Sequence, residues 1–399
     1  MTLSYGRDLF LTPGPSVMPD SVLAAMMRPA PNIYGGPLVD VTASIVADLK
    51  TVAGTAHQAT IYIANGHGIW EAAVANVFAP GDAALMLDTG NFAKGWADVA
   101  RRLGVKVTLL PFGTDKAADP AVLQQALAAD TGHHYKAVMC TQTDTSTSAS
   151  NNIAAIRAAI NAANHPALLM VDCVASLGCE HFEMDAWGVD VMVTACQKGL
   201  MCPPGLAYMF FNDKAARVAR PQAERSPYWD WTARANPQRF YEYFFGTAPT
   251  HLLYAQRAAL DLIMAEGMPA IWARHHVFAS AIWAAVQAWG TGGPLRLNIA
   301  DPAQRSRAVT TVMAPGADCN ALRNWLSDKA GVTLGVPLGF DLPEYAQGAN
   351  VFRIGHMGHL NPPMVLGGLA TLQAGLTACG IPFGAGALDA ASAIIAQAG

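Results

Sequence analysis

Short apolar runs rich in β-branched residues alternate with helix-length segments through the first half of this chain. Residues 59–64 read as a strand and 68–78 as a helix stopped by Pro80-Gly81-Asp82. Residues 83–87 read as a strand, 93–103 as a helix, 136–141 as a strand and 153–163 as a helix; two further apolar runs end at Asp172 and Thr194. Strands separated by helices of about 10–15 residues imply βαβ units, and right-handed crossovers put their helices on both faces of a mostly parallel sheet. A further strand is expected at 206–211. Residues 213–245 are rich in Arg, Trp and Tyr and less periodic. A helix is expected at 249–266; beyond it a helix at 268–289, a strand at 307–313 and a helix at 320–330 suggest a smaller α+β unit. This gives an amino-terminal arm over 1–20, a large domain over 21–266 and a small domain over 267–399.

Hydrophobic residues make up 52% of the 399 residues and charged residues only 14%, which favours a large core and a subunit interface. No apolar run is long enough for a membrane helix, and residues 1–13 do not read as a signal peptide. The net charge of −4 is scattered, with no basic stripe for nucleic acid. Seven cysteines, with Cys173/Cys179 and Cys196/Cys202 spaced too widely for CxxC sites, read as free thiols in a reducing cytoplasm. His275-His276 has no third ligand at metal spacing, so no metal is expected.

Two strand ends carry chemistry. One apolar run ends in Gln197-Lys198-Gly199 and a Pro/Gly-rich bend; another ends in Asp172. The lysine could merely open a loop. A lone Lys and a lone Asp at such ends also suit pyridoxal 5′-phosphate (PLP), the lysine condensing with its aldehyde and the aspartate holding its pyridine nitrogen protonated. A third strand ends at Asn65-Gly66-His67-Gly68. Glycines at a strand-to-helix turn are ordinary turn residues, and they also let backbone N–H groups and the positive helix end approach a phosphate.

With these motifs the chain resembles the class V, fold-type-I aminotransferases of the alanine–glyoxylate/serine–glyoxylate group. The likeness runs almost the whole length. It rests on Thr12-Pro13-Gly14-Pro15, Asn65-Gly66-His67-Gly68 with Glu71, Asp144-Thr145-Ser146-Thr147, the 165–177 and 184–190 segments, Gln197-Lys198-Gly199 with Pro203-Pro204-Gly205, Gly246-Thr247, and Phe352-Arg353 with Gly355-His356. The resemblance implies a seven-stranded, mostly parallel sheet sandwiched by helices. Lys198 matches the Schiff-base lysine, Asp172 the pyridinium partner, and Val174 and Phe92 the residues on the two faces of the ring. Gly66, His67 and Gln197 match phosphate contacts, Asn65 beside them can donate its amide to the phosphate, and Thr145 matches a supporting hydroxyl. Thr247, with neighbours such as Phe244, matches a phosphate contact reaching into the neighbouring subunit, so a homodimer (or a tetramer built from it) is implied. Arg353 matches the clamp on the substrate α-carboxylate, where a guanidinium fork makes two charge-assisted bonds.

The implied activity is transamination from serine or alanine to glyoxylate or pyruvate by a ping-pong mechanism. Two departures bear on it. Asn65 stands where relatives often carry Ser or Thr, and Asn32–Pro37 replaces a His-Arg pair near the substrate mouth. Aspartate–glyoxylate and pyridoxamine–pyruvate transamination are therefore alternatives, although the phosphate cradle speaks against the second. A cysteine desulfurase-type lyase would need a mobile cysteine and usually a His before the lysine, where Gln197 stands. A PLP-sensing regulator would need a DNA-binding segment that is missing here.

Overall fold

The computed structural model describes residues 2–340 and 348–398. The alternation builds a seven-stranded sheet from β1 (Gln58–Ala64), β2 (Ala83–Asp88), β3 (Lys106–Pro111), β4 (Tyr135–Thr141), β5 (Leu168–Asp172), β6 (Val191–Ala195) and β7 (Gly205–Phe211). Its order is β1-β7-β6-β5-β4-β2-β3. Only β7 runs antiparallel, to both of its neighbours. Both faces are covered at the centre of the sheet, so its inner strands are apolar without alternation. In β4, Val138 and Cys140 enter one core with Ile45 and Leu49; Ala137 and Met139 enter the other with Trp70 and Trp96.

The carboxy-terminal core gathers Phe278, Val312, Phe352 and Leu372. Its antiparallel sheet has Val309–Met313 between Arg296–Leu297 and Val351–Gly355. Leu11 belongs to this core, because Leu9–Leu11 pairs in parallel with Val332–Leu334. The start of the chain is thereby carried to the loops that end β5 and β6. Ser16 N–H donates to the Gln197 carbonyl at 2.9 Å, and Ser16 Oγ to the Lys198 carbonyl at 2.7 Å.

Several boundaries differ from expectation. The helix expected from 68 begins at Gly66, because Asn65 caps it by accepting from Gly68 N–H at 3.1 Å. The strand expected from 307 begins at Val309: Ser306 Oγ accepts the N–H groups of Ala308 and Val309 and holds a turn there. The amphipathic helix Pro37–Ala53 and the edge strand β3 were not expected; β3 is a short, half-exposed run. The irregular 213–245 region is organised around buried Arg234, which donates to the carbonyls of Ile61, Tyr243, Tyr228 and Phe244. That same packing corrects Phe244: it is fully buried and cannot reach a neighbouring subunit, while Phe245 beside it is half exposed. Among the described residues, no helix is long and apolar enough to cross a membrane.

Candidate active site

The carboxyl ends of β5 and β6 and the amino end of the helix Gly66–Val77 meet at a cavity of about 260 Å³. Its wall includes Asn65, Gly66, His67, Phe92, Thr145, Asp172, Val174, Gln197 and Lys198, brought together from five separate stretches of sequence. A crevice outside the carboxyl ends of parallel strands is where such sheets bind ligands. Two further expected residues lie off this wall. Thr247 is exposed in the loop before the helix Thr250–Glu266. Arg353, on Val351–Gly355, sits behind Thr145: Nη1 donates to the Thr145 carbonyl at 2.9 Å and Nε to the Val336 carbonyl at 2.6 Å.

Lys198 is 9% exposed and enters the cavity from the turn after β6. Its Nζ donates to the Pro13 carbonyl. Burial, then the nearby Arg353 charge, lowers its pKa to about 8, against the pull of Asp172. The glycine after it is demanded by contact, since a Cβ at Gly199 would lie 2.2 Å from the Leu177 carbonyl oxygen. Asp172 is buried at the end of β5. Oδ1 accepts from Val174 N–H at 2.6 Å and Oδ2 from Trp70 Nε1 at 2.9 Å. Burial pushes its carboxyl up to about 6, against those two bonds and the charge of Lys198.

Phe92 is placed by Asp144. Its carboxylate oxygen Oδ2 accepts the N–H groups of Phe92 and Ala93, each at 3.0 Å, and so caps the helix Asn91–Arg102. Gly90 admits that carboxylate, because a Cβ there would lie 2.5 Å from Asp144 Cγ.

The opposite end of the cavity is open. Asn65 and His67 are exposed. The Asn65 side-chain oxygen is spent on the helix cap, so its amide N–H groups are what it offers a ligand. The N–H groups of Gly66 and His67 precede that cap on the first turn, where a helix has no internal acceptors for them. Gln197 Oε1 is buried without a hydrogen-bond partner. The free N–H groups of the helix amino end and the side-chain amide N–H groups of Asn65 and Gln197 on a half-open cavity fit a ligand carrying an anionic group. The wall thus fits PLP at both ends: a carboxylate for the ring nitrogen and amide donors for the phosphate.

Trp70 and Pro13 were not singled out from sequence. Trp70 lies one helical turn after Gly66 and resembles any core tryptophan; no local pattern reveals that its N–H reaches Asp172. Pro13 carried a signal only within the Thr12–Pro15 motif. His275 is committed elsewhere, since its buried Nε2 accepts the Gly358 N–H at 3.0 Å.

A profile of the class V aminotransferases matches residues 38–337. Serine–glyoxylate aminotransferase of Methylorubrum extorquens is 37% identical over 94% of this chain and 92% of that protein. L-aspartate–glyoxylate aminotransferase of Paracoccus denitrificans is 35% identical over 95% of this chain and 94% of its own. The crystal structure of pyridoxamine–pyruvate aminotransferase from Mesorhizobium loti superposes with a TM-score of 0.87 at 26% identity, covering 100% of both chains.

Proposed function

The chain belongs to the class V aminotransferases, and from that membership we propose that it moves an amino group from serine or alanine to glyoxylate or pyruvate in two half-reactions, with PLP as cofactor. The carrying observation is the meeting of Lys198, Asp172 and the open helix end at Gly66 on one cavity. Phe92 and Val174 would hold the two ring faces and Asp172 the ring nitrogen. Asn65, Gly66, His67 and Gln197 would hold the phosphate, and Thr145 would support the ring with its hydroxyl. When bound, the cofactor supplies an electron sink that acidifies the substrate Cα–H.

The chain's own groups do the rest. With its amine held near 8, Lys198 can exist neutral close to physiological pH, the form that would link to the cofactor aldehyde and, once released, would carry the proton from the substrate Cα to the cofactor's C4′. Pro13 gives that Nζ a hydrogen-bond acceptor when it is unlinked. Ionised Asp172 keeps a proton on the ring nitrogen. Arg353 supplies the positive charge for the substrate α-carboxylate from behind Thr145. Exposed Thr247 supports a homodimer in which it contacts the neighbouring subunit's phosphate. The seven cysteines, none in a disulfide, support a cytoplasmic setting.

Aspartate as donor is the second reading. It is favoured by the Paracoccus relative and by the Asn32–Pro37 loop, where Tyr34 is 90% exposed. The helix amino end, with its open N–H donors, opposes free pyridoxamine as substrate. Desulfurase chemistry is opposed by Cys319, which is buried in the carboxy-terminal core under the Asp318 cap. The test is a donor screen on PLP-loaded protein. Serine, alanine, aspartate and glutamate are compared by loss of the cofactor's visible absorbance, and glyoxylate is then added to restore it. Serine or alanine is expected to lead, and a preference for glutamate with 2-oxoglutarate would overturn the substrate assignment.

A further inference from the structure

We infer that Trp70 is a positioning residue for Asp172: its indole N–H, donated to Oδ2, orients the carboxylate and favours its ionised form, which sustains the charge the ring nitrogen needs. The inference rests on Asp172 being the ring-nitrogen partner proposed above. The geometry behind it is direct. Trp70 is 2% exposed, its Nε1 lies 2.9 Å from Asp172 Oδ2, and both residues line the cavity. Val174 N–H occupies the other oxygen at 2.6 Å. One donor on each oxygen fixes the plane of the carboxylate and leaves each oxygen a lone pair for the cavity.

The indole is itself held from several sides. The ring of Trp96 stacks at 6.3 Å and that of His67 lies tilted at 4.6 Å. The helix Asn91–Arg102 leaves room for it at Gly95, where a Cβ would come within 3.3 Å of the Trp70 ring. Tyrosine or phenylalanine could fill much of this space, but neither carries an N–H at the indole position. The titratable groups around Asp172 are Lys198, Asp144 and the thiols of Cys140 and Cys173. Lys198 favours the ionised carboxylate and Asp144 opposes it; burial pushes both thiols up, so they stay protonated.

The test separates this inference from the cofactor reading. In ligand-free protein labelled at tryptophan with ¹⁵N, the nine indole N–H signals are followed from pH 4 to pH 8. The Trp70 signal, assigned by its loss in Trp70→Phe, should move through a step, and that step should vanish in Asp172→Asn. If Trp70→Phe does not fold, the signal whose step Asp172→Asn removes makes the assignment. A Trp70 signal that ignores pH, or whose pH profile Asp172→Asn leaves unchanged, overturns the inference whether or not PLP binds; the His67 ring beside Trp70 is present in both proteins and cancels from that comparison. In the second arm, PLP labelled with ¹⁵N in the ring is loaded into wild type and Trp70→Phe. The variant should shift the ring-nitrogen resonance toward the unprotonated position. It should also lower kcat about tenfold or more, the effect of one hydrogen bond to a charged group, with KM little changed. An unchanged ring-nitrogen resonance would reduce Trp70 to packing and overturn the inference. Failure to bind PLP at all would instead sink the function proposed above, leaving the Trp70–Asp172 link to the first arm.

Discussion

At one end of the cavity both oxygens of Asp172 hold N–H donors of this chain; at the other, the N–H groups of Gly66 and His67 stand on the first turn of a helix, and Asn65 and His67 face solvent. The first end is enclosed by the strands β5 and β6 and by Trp70, all within one subunit. The second is built at a helix terminus, whose N–H groups lack internal acceptors by construction. The difference teaches where specificity for charge is kept. A carboxylate that must remain ionised in a buried place needs its donors in advance, because an unpaired buried charge is expensive. A phosphate brings its own charge, and the open donors wait for it.

The sharpest way to break this contrast is Asp172→Asn, which keeps the shape of the finished end and removes its charge. PLP should still bind within a few-fold of wild type, while turnover falls by ~10² or more, the scale seen when one charge-stabilising group is lost. Steady-state kinetics with a PLP titration would show it, and near-normal turnover would remove Asp172 from the chemistry. Gln197→Ala attacks the open end. PLP affinity should weaken by roughly 10–100-fold, the loss of a hydrogen bond to a charged group, with turnover at saturating PLP close to wild type. The ligand-free protein should be no less stable, since the lost oxygen had no partner there. A melting temperature that drops in the ligand-free state would show Gln197 to be a packing residue.

The smallest effect expected is in pH. The Lys198 amine is depressed from 10.5 to about 8, so its neutral, nucleophilic form grows as pH rises through that value. The rate at which ligand-free protein captures PLP should therefore climb with pH and level off above about 8. The same depression carries a sign for stability. A lowered folded-state value means that protonation opposes folding, so the ligand-free chain loses stability as pH falls from the ordinary lysine range through about 8. Stopped-flow capture rates and unfolding midpoints across that range test both, and a flat rate profile would place the controlling amine elsewhere.

Lys198, Asp172 and the Gly66 turn were legible in the sequence for one physical reason. Each follows a strand of mostly apolar residues, so the first polar or turn residue afterwards stands out. Trp70 was not legible, because an indole on the inner face of an apolar helix has the same pattern whether or not its N–H finds a carboxylate on another element. β3 escaped for a related reason. A half-exposed edge strand, Lys-Val-Thr-Leu-Leu-Pro, lacks the two-sided burial that marked its neighbours. Phe244 was misplaced because sequence could assign its segment to a loop but could not reveal buried Arg234, whose guanidinium gathers the carbonyls around it.

The pairing of Leu9–Leu11 with Val332–Leu334 also sets a clock on synthesis. The segment that braces the Lys198 turn is made first, yet its strand partner is among the later parts of the chain to leave the ribosome. At about 5–20 residues per second that is a wait of roughly 15–60 s. During it the central sheet can form from its own contiguous strands and helices, while the lysine still lacks the Pro13 carbonyl and the Ser16 bonds. A nascent chain released before residue 334 would carry every residue of the cavity wall and still leave the brace of its reactive amine unanchored.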